Sequence, residues 1–205
     1  MDLVPLREVF EAVIEARRAF PEGQEAFKQL VETFVTDPIK ERRERRRLDR
    51  VAELADEKIG DREKEENLEE IMTSTEVQPL IEAIQEDDRR ELQEIWANML
   101  AKFATGKSQG FRRDFVLTLK NLEPIDVKCL ELLPSILSNG YVEKSIIISE
   151  LHERLGIEKD ELFISLDVLK EKKCLIVKDQ PNRQDVFWTF SSYGKILTKI
   201  ASPLI

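Results

Sequence analysis

The chain has 205 residues, 41% of them hydrophobic, enough to form a buried core in one large or two small domains. Charged residues make up 36% and the formal net charge is -9. Residues 1–110 hold 18 Lys and Arg against 27 Asp and Glu, while residues 111–205 hold 14 of each. An acidic first half and a neutral second half argue against a strong nucleic-acid binder, which normally carries net positive charge.

Two cysteines, Cys129 and Cys174, make no C-x-x-C pair or disulfide framework. A reducing, cytoplasmic location is the expectation. No apolar run is long enough to span a bilayer, and the opening MDLVPLREVFE is acidic and unlike a signal peptide.

Leu3, Leu6, Val9, Phe10, Val13 and Ile14 form a helical stripe, with Pro5 suited to its first turn. After the turn Pro21-Glu22-Gly23 a second stripe holds Ala26, Phe27, Leu30, Val31, Phe34 and Val35, broken at Asp37-Pro38. Short helices of this kind need an apolar partner. Self-association as a homodimer through these stripes is the expectation, closed twofold pairs being the commonest oligomers.

Residues 40–70 are dense in charge, with Leu48, Val51, Leu54, Ala55 and Ile59 at helical spacing and Gly60-Asp61 as a connector. They predict a long exposed helix stabilised by Arg/Glu pairs three or four apart. The run Arg42, Arg43, Arg45, Arg46, Arg47 and Arg50 is a candidate anion or nucleic-acid contact, but Glu41, Glu44 and Asp49 interrupt it. A solvated helical face is the favoured reading.

Asn67 or Thr75 is positioned to cap the next helix, where Ile71, Val77, Leu80, Ile81 and Ile84 lead on to ELQEIWANMLAKFA. In that segment Leu92, Ile95, Trp96, Met99, Leu100 and Phe103 recur on one helical face. Small Ala97 and Ala101 permit close approach of another helix. Gly106 to Gly110 form a loop, and Phe111, Phe115, Val116, Leu119 and Leu122 mark a further helix. Trp96, Phe103, Phe115 and Trp188 are predicted core anchors.

Pro124 opens a helix with Ile125, Cys129, Leu132, Leu133 and Ile136 facing the core. Beyond the turn Asn139-Gly140, Ile146 to Ile148 are expected to form a short strand, Ser149 to Leu155 a short helix, and Lys159 to Lys172 a longer one. Leu175 to Val177 and Val186 to Phe190 alternate as strands around a turn at Asp179-Gln180-Pro181-Asn182, and Tyr193 to Ile200 close with a helix. That order predicts a winged helix-turn-helix with a short β-hairpin. The expected architecture is mostly α: a charge-rich helical region over residues 1–65, a helical unit over 66–122, and a winged-helix-like domain over 123–205.

A winged helix reads DNA through its second helix. Here that helix opens with Glu158, Asp160 and Glu161, which repel phosphate, and its cations Lys170, Lys172 and Lys173 lie at the far end. The wing tip offers only Arg183, beside Asp185. Protein docking is therefore favoured over nucleic acid, because fold alone does not imply function. His152 is the only histidine and has no second ligand nearby, so no metal site is expected. Walker, G-x-G-x-x-G and G-x-S-x-G signatures are absent, and no cofactor or catalytic residue is expected.

Gln93 to Ala101 read Q-E-I-W-A-N-M-L-A. Phe115 to Leu122 follow, then L-E-P-I-D over Leu122 to Asp126. This pattern resembles the abortive-infection alpha family of bacteria, roughly L-Q-x-x-W-A-N-L-L-A and then F-V-x-x-L-x-x-L-x-P-x-D-A. Met99 replaces a leucine and Val127 an alanine. The tail is similar too, through Leu166, Leu169, Leu175-Ile176, Thr189, Gly194 and Leu197, with Ser191-Ser192-Tyr193 lengthening the last step. The resemblance covers about residues 75–200. It implies a role in defence against phage and brings no catalytic residues. The expected function is a non-enzymatic cytoplasmic interaction protein of a phage-defence system; the alternative is a winged-helix DNA-binding transcriptional regulator.

Overall fold

The computed structural model describes residues 38–60, 62, 71, 72, 74–138, 140–179 and 186–204. The expected helices over residues 3–35, the cap Asn67 and the turn at 180–182 lie outside the described residues. Among the described residues the chain forms eight helices and one small antiparallel sheet, so it is mostly α as expected. It divides into two compact units, one running through residue 109 and taking in the last residues, the other spanning 110–202. The expected regions had different limits, 65/66 and 122/123.

In the first unit, α1 (Pro38–Ile59) packs against α2 (Gln78–Glu86) and α3 (Arg90–Ala104), and α2 packs on α3. The expectation of an exposed α1 needs correcting. Leu48, Val51, Ala52, Ala55 and Ile59 are all buried. Their spacing at i, i+3, i+4, i+7 and i+11 is one helical stripe, and the charges around it occupy the remaining surface. Each buried Leu, Ile or Val contributes roughly 1.5–3 kcal/mol, against a few tenths for each surface ion pair. The sparse apolar residues therefore decide where the helix goes.

Helix α3 is the centre of this unit. Every residue from Leu92 to Ala104 except Glu94 is buried, and Trp96 is fully so. Lys58 reaches across from α1 to Glu94 at 2.7 Å. Asp87 precedes α3 and accepts from the Arg89 backbone N–H at 3.0 Å and from its Nε at 2.9 Å, fixing the break between α2 and α3.

The second unit runs α4 (Arg113–Lys120), α5 (Pro124–Ile136), β1 (Val142–Glu143), α6 (Lys144–Leu155), α7 (Lys159–Glu171), β2 (Leu175–Asp179), β3 (Val186–Phe190) and α8 (Ser192–Ala201). The sheet order is β1-β3-β2, all antiparallel, with Trp188 opposite both Val142 and Val177. Helices α5, α6 and α7 pack on one another, and α7 also packs on β2. Tyr193 ties α4 to α8: its hydroxyl lies 2.7 Å from Thr118 Oγ1 and donates to the Asp114 carbonyl at 3.0 Å, and its ring meets Phe115 edge-on.

One strand is misplaced in the sequence reading. Ile146 to Ile148 are helical, inside α6, and the strand is Val142–Glu143. Ile147, Ile148 and Leu151 are buried while Ile146 is 50% exposed, which is helical periodicity. Isoleucine's helix-propensity penalty is below about 0.7 kcal/mol, and burying each side chain outweighs it. Gly156 ends α6 with φ 65°, donating its N–H to the His152 carbonyl.

Candidate functional site

The α1 arginines separate into two groups. Arg42, Arg43, Arg45 and Arg46 are exposed. Arg47 is turned inward and donates to the Gln85 carbonyl at 2.7 Å and the Glu86 carbonyl at 3.4 Å, with Asp88 3.5 Å from its other terminal nitrogen. It satisfies carbonyls that the end of α2 leaves without an intrahelical donor. Arg50 is exposed and donates to Gln93 Oε1 at 3.5 Å. So Arg47 is a structural cap, and the others form the charged surface.

Lys170, Lys172 and Lys173 do not form one cluster of free cations. Lys170 Nζ stands 5.8 Å from the centroid of the Trp188 ring. Lys172 is half-buried. Lys173 turns the chain into β2 with φ 63°, and its carbonyl accepts from the Ser191 hydroxyl. Arg183 lies outside the described residues. Trp96, Phe103, Phe115 and Trp188 are all buried, in keeping with core anchors.

The structure also assembles an open groove of about 620 Å³ that the sequence does not announce. Its lining includes Lys144, Asp167, Lys170, Val177, Val186 and Trp188. Lys144 opens α6, and its Nζ lies 4.8 Å from the ring centroids of both Trp188 and Phe163 and 3.3 Å from Asp167 Oδ1. Cation–π contact and the ion pair hold this ammonium at the rim. Beside the groove Phe163 is 38% exposed and Ile164 65% on α7, and Ile176 is 44% exposed on β2. The combination is an apolar surface with cations at its edge, suited to binding.

A buried polar cluster lies between α5 and α7. Asp126 accepts the Glu123 backbone N–H at 3.0 Å, one half of a capping box, and also accepts from the Ser165 hydroxyl. Burial and the nearby Asp126 charge push the Cys129 thiol up to about 12, against a partial lowering from Ser165. Burial alone raises Cys174 to about 12. Both thiols are therefore protonated near neutral pH and poor nucleophiles. His152 Nδ1 lies 2.7 Å from the Ile157 carbonyl, holding the turn after α6. Among the described residues no group of three or more His, Cys, Asp or Glu is placed to hold a metal ion, and no helix is long and apolar enough to cross a membrane. Asp126 and Ser165 were not foreseen as partners; the P-x-D signature was the only hint, and it covers just one of them.

The fold and these surfaces define a mostly helical chain of two units, with an exposed arginine face on the first and a cation-rimmed apolar groove on the second. The family described as abortive infection alpha matches residues 43–196, and the chain belongs to that family. The match begins within α1, well before the residues on which the resemblance was first drawn, so the charged helix is part of the family's pattern. No curated protein and no solved structure matches the chain. Membership carries with it a role in abortive infection, a form of defence against phage.

Proposed function

We propose that this protein acts in phage defence as a non-enzymatic cytoplasmic interaction protein, making its contacts through the second unit. The observation that carries this reading is the outer face of α7. Ile164 and Phe163 are exposed there, among exposed Asp160, Glu161 and Asp167. Apolar side chains on a charged rim suit a protein partner. The two buried, high-pKa thiols agree with a reducing compartment.

The element order helix, strand, helix, helix, hairpin, with β1 added to the hairpin, supports a winged helix-turn-helix. That order favours a second reading, a DNA-binding regulator with α7 in the major groove. The exposed acids at the start of α7 weigh against it, because phosphate repels them.

Phage challenge of cells expressing the chain tests the role, and Ile164→Lys tests the surface. The variant should keep the wild-type melting temperature and lose protection. Mobility shift with duplex DNA at low salt should show no complex, since phosphate contacts are strongest there. A low-salt complex, together with full protection by Ile164→Lys, would replace the leading reading with the DNA-binding one.

A further inference from the structure

The solvent face of α1 has its own pattern, distinct from the buried stripe. Arg46, Arg50, Glu53 and Glu57 follow at i, i+4, i+7 and i+11, and all four are exposed. That spacing is one helical face. Exposed Arg42 and Arg43 extend it at the N-terminal end. Along this face the helix is basic before residue 51 and acidic after it. Arg46 and Glu57 are eleven residues apart, so the face spans roughly 16 Å at 1.5 Å per residue.

A face divided in this way is complementary to itself when one copy is reversed. Set two α1 helices antiparallel, with a twofold axis at the change of sign. Arg50 of each copy then lies opposite Glu53 of the other, and Arg46 opposite Glu57. Four ion pairs form, and Arg42 and Arg43 lie past Glu57 at each end. Parallel pairing would instead set Arg against Arg and Glu against Glu. We infer that this face of α1 is a self-association surface, through which two copies of the chain pair antiparallel about a twofold axis.

An isologous contact needs a patch that matches its own rotated image, and the sign reversal supplies one. Exposed ion pairs are individually weak, so the pairing is reversible and fades as salt screens it. A polyanion is the rival occupant of the arginines. The acidic half at Glu53 and Glu57 would repel it, whereas a second copy uses both halves. The inference names the partner at one surface of a protein already read as acting through protein contacts, and it rests on that reading.

Sedimentation of the full chain at low and high salt is the first measurement. A dimer at low salt that dissociates at high salt is expected. Two charge-reversed variants sharpen the test. Arg46→Glu with Arg50→Glu makes the stripe acidic; Glu53→Arg with Glu57→Arg makes it basic. Each alone should lose self-association by roughly tenfold or more, because every pair becomes repulsive. Mixed together, the two variants should form a heterodimer, since all four pairs are restored. All four positions are exposed, so both variants should melt as the wild type does. A monomeric wild type at low salt, a mixture that stays monomeric, or variants that dimerise as before would each overturn the pairing. So would a monomer that binds polyphosphate or duplex and loses that binding only when Arg46 and Arg50 are reversed. Phage challenge of the same variants separates the two readings. Pairing without protection in the wild type sinks the defence role, and protection without pairing sinks this surface.

Discussion

Gly194 lies in the second turn of α8, where helix propensity alone says alanine should be better by about 1 kcal/mol. The structure predicts the opposite. A Cβ built on Gly194 would sit 2.8 Å from the Cys174 carbonyl carbon, 3.0 Å from its Cα, and closer still to its oxygen. Those are backbone atoms, and neighbouring contacts hold them in place. Cys174 N–H donates to Leu169 O at 2.8 Å, and its carbonyl accepts from Ser191 N–H at 3.0 Å. Ser191 in turn caps α8, its hydroxyl accepting from Gly194 N–H at 2.9 Å. Moving α8 away to admit the methyl breaks into this set of bonds. Overpacking costs about 1–3 kcal/mol, and a lost hydrogen bond about 1 more. After subtracting the propensity gain, Gly194→Ala should destabilise the second unit by about 1–3 kcal/mol. For a unit of this size that lowers the melting temperature by roughly 4–8 °C per kcal/mol. Urea titration followed by circular dichroism measures it, with Lys195→Ala, at an exposed position one residue on, as the control. A Gly194→Ala protein as stable as the wild type, or more so, would refute the close approach.

Other perturbations test other parts of the same argument. Trp96→Ala should cost about 3–5 kcal/mol in the first unit, because the fully buried ring leaves a cavity that α3 cannot fill. A melting temperature unchanged within error would disprove its place in the core. Asp126→Ala should cost about 1–3 kcal/mol, since Ser165 loses its acceptor inside the protein and α5 loses half its capping box. Thermal melting should show a clear drop; a neutral result would mean water substitutes for the carboxylate. Cys129 and Cys174 should resist a thiol reagent at pH 8 until the chain is unfolded. Their folded values of about 12 stand above the model value of 9.0. Between those limits the unfolded chain releases protons that the folded one keeps, so stability is full below about pH 9 and falls as pH rises toward 12. Rapid labelling of the native protein, or a flat stability profile through that window, would contradict their burial.

Much of this fold was legible, and the failures have identifiable causes. Six apolar residues on one face placed α3 within a residue of its observed start. Pro124 marked the beginning of α5, and the alternation in Val186 to Phe190 marked β3. The stripe in α1 was visible, but the density of charge around it suggested an exposed helix. A few buried methyl-bearing groups outweigh many solvated ion pairs, and a count of charges does not show this. Ile146 to Ile148 read as a strand because β-branched residues favour strands, whereas their burial follows a helical period set by the neighbouring helices. The groove was not legible at all. Lys144, Asp167 and Trp188 meet only because α6, α7 and β3 converge, and no local pattern records that. The contact between Gly194 and Cys174 has the same origin, as does the pairing of Asp126 with Ser165.

The residues that carry the family resemblance are, one after another, parts of the scaffold. Trp96, Ala97 and Asn98 are buried in α3. Leu122 is buried beside the start of α5, where Asp126 closes a capping box and reaches α7. Gly194 admits the turn before β2, and Leu197 packs beneath it. A pattern of this kind identifies a fold and the family that uses it, while the specificity of a binding protein must reside on surfaces that the pattern leaves open. Here those surfaces are the divided charge face of α1 and the apolar face of α7. They differ in physical kind, since one weakens with salt and the other buries hydrocarbon and should hold at high ionic strength. Salt dependence therefore tells which surface a given contact uses. A contact that survives salt and is lost with Ile164→Lys belongs to the second unit, and one lost with salt and restored by exchanging charges belongs to α1.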